Sequence, residues 1–131
     1  MPRVNDWQSR LAAVVLQAQR EPFAWGTHDC ARFAARCVQA VSGLAPALPV
    51  WTDERTAARA LKLGGGLAAL AAARLGAEVP PAVAQPGDVG LFDEGGREAL
   101  AVWGGAHWMA PAADGLAAVR ADAVSRCWRA C

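Results

Sequence analysis

The fold is decided by residues 23–33, which read Phe23-Ala24-Trp25-Gly26-Thr27-His28-Asp29-Cys30-Ala31-Arg32-Phe33. The glycine and threonine predict a turn, and a helix follows it with Cys30 in its first turn. Ser42-Gly43 then predicts the end of this helix. We expect a buried helix, because apolar side chains recur along it at the spacing of one helix face: Cys30, Phe33, Ala34, Cys37, Val38 and Val41.

Three further helices are predicted in the first part of the chain. Asp6 is the candidate N-cap of a helix over residues 6–20, and Pro22 prevents its continuation. Thr52 is the candidate cap of a third helix. A short fourth helix is predicted over residues 67–75, where apolar residues follow three consecutive glycines.

Strand signals take over in the second part of the chain. Gly104-Gly105 predicts a two-residue hairpin turn, which pairs Val102 with His107. Helices first and an antiparallel meander second indicate the α+β class, with one domain over residues 1–131. The predicted strands cover residues 89–92, 99–103, 106–110, 116–119 and 124–128.

Composition excludes several functional classes. The 131 residues are 54% hydrophobic and 19% charged, with a formal net charge of +1. We expect no nucleic-acid partner, because no basic cluster is present. The apolar runs are too short for a membrane span, and the N-terminus has no apolar segment typical of a secretory signal peptide. Synthesis in a cytoplasm is therefore expected, and no cofactor is predicted.

The four cysteines are predicted to be reduced thiols with separate roles. Cys30 and Cys37 lie on one helix, about 10 Å apart along its axis, which is too far for a disulfide. Cys127 and Cys131 lack the Cys-x-x-Cys spacing of a zinc site, so no metal is expected. Their position near the chain end favours exposed thiols.

Two interpretations of Cys30 follow from its position alone. Backbone N–H groups at a helix start stabilise a thiolate and lower the pKa of the thiol, as a nucleophile requires. Cysteine is also one of the residue types most often buried in a core, and Cys30 begins an apolar stripe.

The order of motifs resembles the NlpC family of papain-like cell-wall peptidases. The motifs are Trp25-Gly26, Asp29-Cys30, Pro86-Gly87-Asp88-Val89 and the Gly-Gly hairpin. The resemblance implies a papain-like, NlpC-type fold, with N-terminal helices packed on a C-terminal antiparallel sheet. It also implies Cys30 at the nucleophile position, and Trp25, Gly26 and Asp29 at the border of the cleft.

The chain is similar, more closely still, to a small group of phage proteins encoded among tail genes near the tail-tip components. The shared pieces lie at residues 55–61, 65–67, 85–89 and 110–116. This resemblance implies a protein made in the bacterial cytoplasm and incorporated into the tail of a virion or phage-like particle. Its implied partners are other tail-tip or baseplate proteins, with peptidoglycan as a further candidate.

The sequence departs from the peptidase pattern at the position of the catalytic base. In NlpC-type enzymes a histidine opens the second core strand and a third polar residue lies on the next strand; those positions fall at Ala99 or Leu100 and near Ala110. His107 is a weak candidate base, because the predicted hairpin leaves it roughly 10 Å from Ala99. His28 is also a weak candidate, because residues adjacent to Cys30 point in other directions. Asp29 is expected to be a helix-start carboxylate.

Three hypotheses of function remain open. In the first, the protein is a structural or assembly part of a phage tail tip, with a degenerate peptidase site. In the second, it is an active cysteine amidohydrolase that cuts peptidoglycan, with Cys30 as nucleophile and His28 or His107 as base. In the third, it is an adaptor in a bacterial cytoplasm, unrelated to phage.

Overall fold

A computed structural model describes residues 2–131 of the protein. The described chain is α+β, as predicted, because its helices precede a single antiparallel sheet. None of the helices in these residues is long and apolar enough to span a bilayer. The four α-helices are α1 (Trp7–Ala18), α2 (Cys30–Ser42), α3 (Glu54–Gly64) and α4 (Leu67–Arg74).

The sheet of the described residues has six strands in the order β1-β6-β2-β3-β4-β5, and every neighbouring pair is antiparallel. Strand β1 has two residues and was not predicted, since so short a segment carries no alternating pattern. The strands are β1 (Glu78–Val79), β2 (Val89–Glu94), β3 (Arg97–Trp103), β4 (Trp108–Ala112), β5 (Gly115–Val119) and β6 (Val124–Trp128).

The core lies on both faces of this sheet. Phe33, Cys37 and Val41 of α2 are 0% exposed and belong to the same core cluster as Leu100 and Val102 of β3. The alternate residues of the strands form a second cluster on the opposite face, as the two-residue period of a strand requires. The second cluster contains Phe92, Ala101, Trp108, Ala110, Val124 and Cys127.

Three helix boundaries differ from the prediction. Helix α1 ends at Ala18, two residues early, and helix α4 ends at Arg74, one residue early. The cap of α3 is Asp53 and not Thr52: its carboxylate accepts a hydrogen bond from the N–H of Thr56, whose hydroxyl accepts one from the Asp53 N–H in return. The predicted end of α2 is confirmed, because Gly43 has a φ of 82° and closes the helix.

The prediction of a two-residue turn between β3 and β4 is wrong. Trp103 pairs with Trp108 and Val102 pairs with Met109, so residues 104–107 form the loop. His107 is therefore an exposed loop residue and does not pair with Val102. The two registers differ by two residues, so both leave every side chain on the same face, and the hydrophobic pattern cannot distinguish them.

Asp88, immediately before β2, joins both ends of the chain. Its buried carboxylate accepts hydrogen bonds from Arg3 at 3.2 Å and from Arg129 at 2.7 Å. It also accepts from the backbone N–H groups of Gln85 at 2.9 Å and Ala130 at 3.0 Å. One side chain thereby fixes the N-terminal segment, the start of β2 and the C-terminal segment together.

All four cysteines are free, as expected. The prediction that Cys127 is exposed is wrong: it is 0% exposed and lies in the second core cluster, because β6 continues to Trp128 inside the sheet. Cys131 is partly exposed.

Candidate functional site

Asp29 organises the start of α2. One carboxylate oxygen accepts a hydrogen bond from the N–H of Arg32 at 2.9 Å, as an N-cap does. The other accepts from the N–H of Gly26 at 2.8 Å and from the indole N–H of Trp51 at 2.7 Å. Asp29 is 1% exposed, so these donors replace its hydration. The interpretation of Asp29 as a helix-start carboxylate is confirmed.

Gly26 allows the chain to approach Trp51 closely. Its φ is 82°, and a Cβ at this position would lie 2.3 Å from the Trp51 carbonyl oxygen. No other residue fits there without moving the backbone. The Trp25-Gly26 segment is thereby held beside the first turn of α2.

Cys30 is the first residue of α2 and is partly exposed. Burial raises the pKa of its thiol from the ordinary value of 9.0 to about 11. Hydrogen bonds from the backbone of Leu100, Ala31 and Cys30 lower this pKa, but the effect of burial is larger. The N–H groups at the helix start therefore favour the thiolate, but the net pKa of Cys30 is raised, which disfavours it.

Two hollows meet at Cys30 and share Trp25, Glu54, Arg97 and Glu98. The smaller is a cavity of about 100 Å³, lined by apolar side chains of α3 and α4 together with Asp29 and these shared residues. The larger is an open groove of about 590 Å³. We call this larger hollow the Cys30 groove; it is lined by Phe23, Trp25, Cys30, Glu54, Phe92, Glu94, Gly95, Arg97, Glu98, Ala99, Ala110, Pro111, Ala112 and Ala113.

The positions expected for a base and its orienting partner lie at this groove. Ala99 and Ala110 line it together with Cys30, and the backbone of Leu100 lowers the pKa of the Cys30 thiol against the effect of burial. The geometry therefore brings together the residues that the sequence comparison had aligned. None of these side chains can accept a proton from Cys30, because all are apolar.

His28 does not face the Cys30 groove. It is 1% exposed and its Nδ1 lies 2.8 Å from the Arg36 guanidinium, which can only donate. The ring packs edge-on against Phe33, and the backbone of Gly115 approaches it. Burial, followed by the charge of Arg36, lowers the pKa of His28, whereas Glu21 and Asp29 oppose this shift. This histidine is a structural element between α2 and the start of β5.

No imidazole lines either hollow within residues 2–131. The lining side chains with acid–base groups are carboxylates, Arg97 and Cys30 itself. His107 lies in the exposed loop beyond the paired end of β3 and β4. The structure therefore brings Cys30, Trp25, Asp29, Ala99 and Ala110 into one region and leaves both histidines outside it.

Charged residues at the rim were not found from the sequence. Arg97 pairs with Glu54, 43 residues away along the chain, and stands over the Trp25 ring at 6.0 Å from its centroid. Glu98 accepts a hydrogen bond from the N–H of Leu67 at the start of α4, at 3.2 Å. No local pattern could have predicted these contacts, because each joins a strand to a distant helix.

These features define an α+β domain with a cysteine at the start of a buried helix, beside a strand that lines a groove. The chain belongs to the family described as "Domain of unknown function (DUF6950)", whose model matches residues 2–130. No curated protein matches it.

Proposed function

We propose that this protein is a tail-tip-associated component of a phage or phage-derived particle. It has a papain-like, NlpC-type fold and a degenerate peptidase site, and it serves structure or assembly. The motif order from Trp25-Gly26 to the Gly-Asp that precedes β2 supports the fold assignment. The placement of Cys30 against β3, with Ala99 and Ala110 on the same groove, is compatible with it.

The proposed loss of hydrolytic activity rests on the groups that surround Cys30. A thiol nucleophile needs a base within about 3 Å and a lowered pKa. Cys30 has the apolar side chains of Ala99 and Leu100 where the base should stand, and burial raises its pKa to about 11. A neutral thiol without a base cannot attack an amide at a useful rate.

The proposed partners are other tail-tip or baseplate proteins. The net charge of +1 and the absence of a basic cluster in the sequence argue against nucleic acid. In the proposal the chain is made in the bacterial cytoplasm and leaves the cell within the particle.

Two assays, alkylation of Cys30 and release of muropeptides, together test whether the peptidase site is degenerate. In a Cys131→Ser background, Cys30 is the partly exposed cysteine that remains, since Cys37 and Cys127 are buried. A rise in pKa from 9.0 to about 11 corresponds to roughly a hundredfold less thiolate. Iodoacetamide should therefore label Cys30 far more slowly than a model thiol at neutral pH, and the wild type should release no muropeptides under reducing conditions.

The same assay decides the alternative, an active peptidoglycan amidohydrolase. Muropeptide release that Cys30→Ser abolishes would establish the alternative and overturn the degenerate site. His28→Gln and His107→Gln would then show which histidine acts as the base.

Association with a particle needs a separate test. Particles purified from a producing bacterium should contain the chain at a fixed ratio to tail proteins by mass spectrometry. Deletion of its gene should yield particles with defective tail tips by electron microscopy. A chain that stays in the cell lysate and never co-purifies with particles would favour the cytoplasmic adaptor.

A further inference from the structure

The two edges of the sheet differ in how they are protected against further pairing. Strand β1 forms one edge with only two residues, and Pro80 and Pro81 follow it, so an added strand finds few donors there. Strand β5 forms the other edge with five residues, none of them charged and none of them proline. No strand of residues 2–131 pairs with the outer side of β5. An uncharged edge of this kind favours pairing with another chain.

The alternation of backbone groups across the sheet shows how the residues of β5 are oriented. Both backbone groups of Trp103 bond to the segment before β2, so this residue faces away from β4. Its partner Trp108 therefore directs its own groups toward β5, and Ala110 does so two residues later. Val119 and Ala117 stand opposite these two residues, so their backbone groups face β4.

Leu116 and Ala118 consequently direct their N–H and C=O groups at the open edge of β5. Pro111 agrees with this alternation, because it stands opposite Leu116 and has no N–H to donate across that pair. No turn or loop bond of the described residues involves the backbone of Leu116 or Ala118. Ala117 and Ala118 are exposed, so no described segment covers the edge at these residues. The edge therefore offers two donors and two acceptors at alternate residues of one strand.

The charges at the two ends of β5 are complementary to those of a second copy of the same strand. Asp114 precedes the strand and Arg120 follows it, and both are exposed. An antiparallel copy related by a two-fold axis at Ala117 pairs residues that are equally far from that axis. Asp114 then stands opposite Arg120 of the second copy. Leu116 stands opposite Ala118, so the outward backbone groups of the two copies meet.

The same charges disfavour other registers of this self-pairing. A shift of one residue would set outward groups against inward ones. A shift of two residues in one direction places Asp114 opposite Asp122, and like charges directly opposite destabilise a strand pair. The shift in the other direction leaves Asp114 opposite Ala118, without an ion pair. Arg120 already bonds to Asp122 of its own chain at 2.7 Å, but both are exposed and the guanidinium keeps further N–H donors.

An uncharged surface of α1 adjoins the same edge. The Gln19 carbonyl oxygen lies 2.3 Å from where a Cβ of Gly115 would stand, so the end of α1 contacts the start of β5. A hollow of about 450 Å³ beside α1 is lined without any charged side chain, and Leu16 in its wall is 55% exposed. Met109 also lines it, and the partner of Met109 on β5 is Ala118. A second copy at β5 would remove part of this apolar surface from water.

We propose that the protein forms a two-fold symmetric homodimer in which the β5 strands of two copies pair antiparallel. Leu116 pairs with Ala118 and Asp114 with Arg120 across the axis, and the sheets of the two copies become one continuous sheet. The inference goes beyond the proposed function. It is independent of the degenerate site, because none of the residues of β5 lines the Cys30 groove.

Sedimentation velocity of the full chain over a range of concentrations tests the dimer. The buffer contains a reductant, so that the partly exposed Cys131 cannot link two copies. A concentration-dependent dimer is expected. Amide hydrogen exchange followed by NMR should show Leu116 and Ala118 protected at high concentration and unprotected after dilution, whereas Ala117 stays protected through its bond to β4. A monomer at every concentration would overturn the proposal.

Ala118→Pro tests the strand pairing. The substitution removes an N–H that faces the open edge and leaves the bonds to β4 in place. Symmetry removes two hydrogen bonds between the copies at once, so the dissociation constant should rise roughly tenfold or more. Thermal unfolding of the dilute variant shows that it is folded. A dimer of unchanged affinity in a folded Ala118→Pro variant would overturn β5 as the interface.

Charge exchange tests the register without altering the strand. Asp114→Arg and Arg120→Asp each place two pairs of like charges across the axis, and each should weaken the dimer roughly two- to tenfold. The double variant restores opposite charges and should recover the affinity. Asp93→Arg is the control, because Asp93 is exposed on β2 and two strands separate β2 from β5. A double variant weaker than both single variants would contradict the register.

A further outcome distinguishes a second copy from a different partner. The chain could be monomeric alone, with Leu116 and Ala118 protected from exchange only when other particle proteins are added. That result would overturn the homodimer and assign the β5 edge to another protein. None of these measurements depends on Cys30, so the muropeptide assay decides the degenerate site separately.

Discussion

The polar centres at Asp88 and at Cys30 differ in how fully their surroundings satisfy them. Asp88 is 0% exposed and receives hydrogen bonds from Arg3, Arg129 and two backbone N–H groups. Cys30 shares its groove with the apolar side chains of Ala99 and Ala110, and burial raises the pKa of its thiol. The difference teaches that the buried carboxylate joining the chain ends is fully hydrogen-bonded, whereas no imidazole of the described residues lines the groove at Cys30.

The largest loss of stability is expected from removing the Asp88 carboxylate. Asp88→Ala leaves two guanidinium groups without their carboxylate, and loss of one partner from a buried ion pair costs about 3–5 kcal/mol. Urea unfolding of the variant measures this loss. Asp122→Ala is the control: its pair with Arg120 is exposed, and its removal should change stability little. Equal losses in the two variants would show that Asp88 does not join the chain ends.

A smaller effect is expected at Asp29, the carboxylate beside Cys30. In Asp29→Asn one carboxylate oxygen becomes an N–H₂ group, so either the N–H groups of Gly26 and Trp51 or that of Arg32 lose their acceptor, and each buried donor left without one costs about 1–3 kcal/mol. Asp53→Asn is a matched control at an exposed helix cap, and we expect it to lose less. Thermal unfolding of both variants tests this order, and a greater loss at Asp53 would contradict it.

The same contrast shows what the sequence could predict. The start of α2 at Cys30 and its end at Gly43 were predictable, because the apolar spacing and the glycine are local signals. The α+β order was predictable for the same reason. The hairpin register was not, because the two alternatives keep each side chain on its face.

The character of the groove was only partly predictable. The resemblance to the peptidases predicted apolar residues at Ala99 or Leu100 and near Ala110, and Ala99 and Ala110 line the groove that Cys30 also lines. The pKa of Cys30 could not be inferred, because burial by distant elements outweighs the helix start. The end of the β3–β4 pairing at Val102↔Met109 could not be inferred either, because it depends on the register of the two strands.

His28 provides a pH-dependent test of the α2 framework. Burial lowers its pKa below the ordinary 6.5, so the unfolded chain binds a proton more readily than the folded one. Stability is therefore complete above about pH 6.5 and is lost as the pH falls through the lowered pKa, by at most about 1.4 kcal/mol per pH unit.

Urea unfolding between pH 7 and pH 5 measures this slope. His28→Gln should flatten it, because the titrating group is gone. The pKa of Glu21 is lowered by its hydrogen bond to Arg36, so its contribution is lost only at more acidic pH. A slope unchanged in His28→Gln would show that another group titrates in this range.

The smallest effect is expected at Cys30 itself, and it sharpens what the thiol does. The Leu100 backbone lowers the pKa of the Cys30 thiol against the effect of burial, so we expect its N–H to interact with the sulfur. Cys30→Ser keeps an acceptor there and should change the free energy of unfolding little. Cys30→Ala leaves the N–H without a partner and should lose about 1 kcal/mol. Urea unfolding of the two variants in parallel measures the difference.

If serine and alanine are equivalent, the Leu100 N–H does not depend on the thiol. If alanine is the weaker by this margin, the cysteine contributes to the fold as an acceptor for a strand N–H, which is a reason to retain it without catalysis.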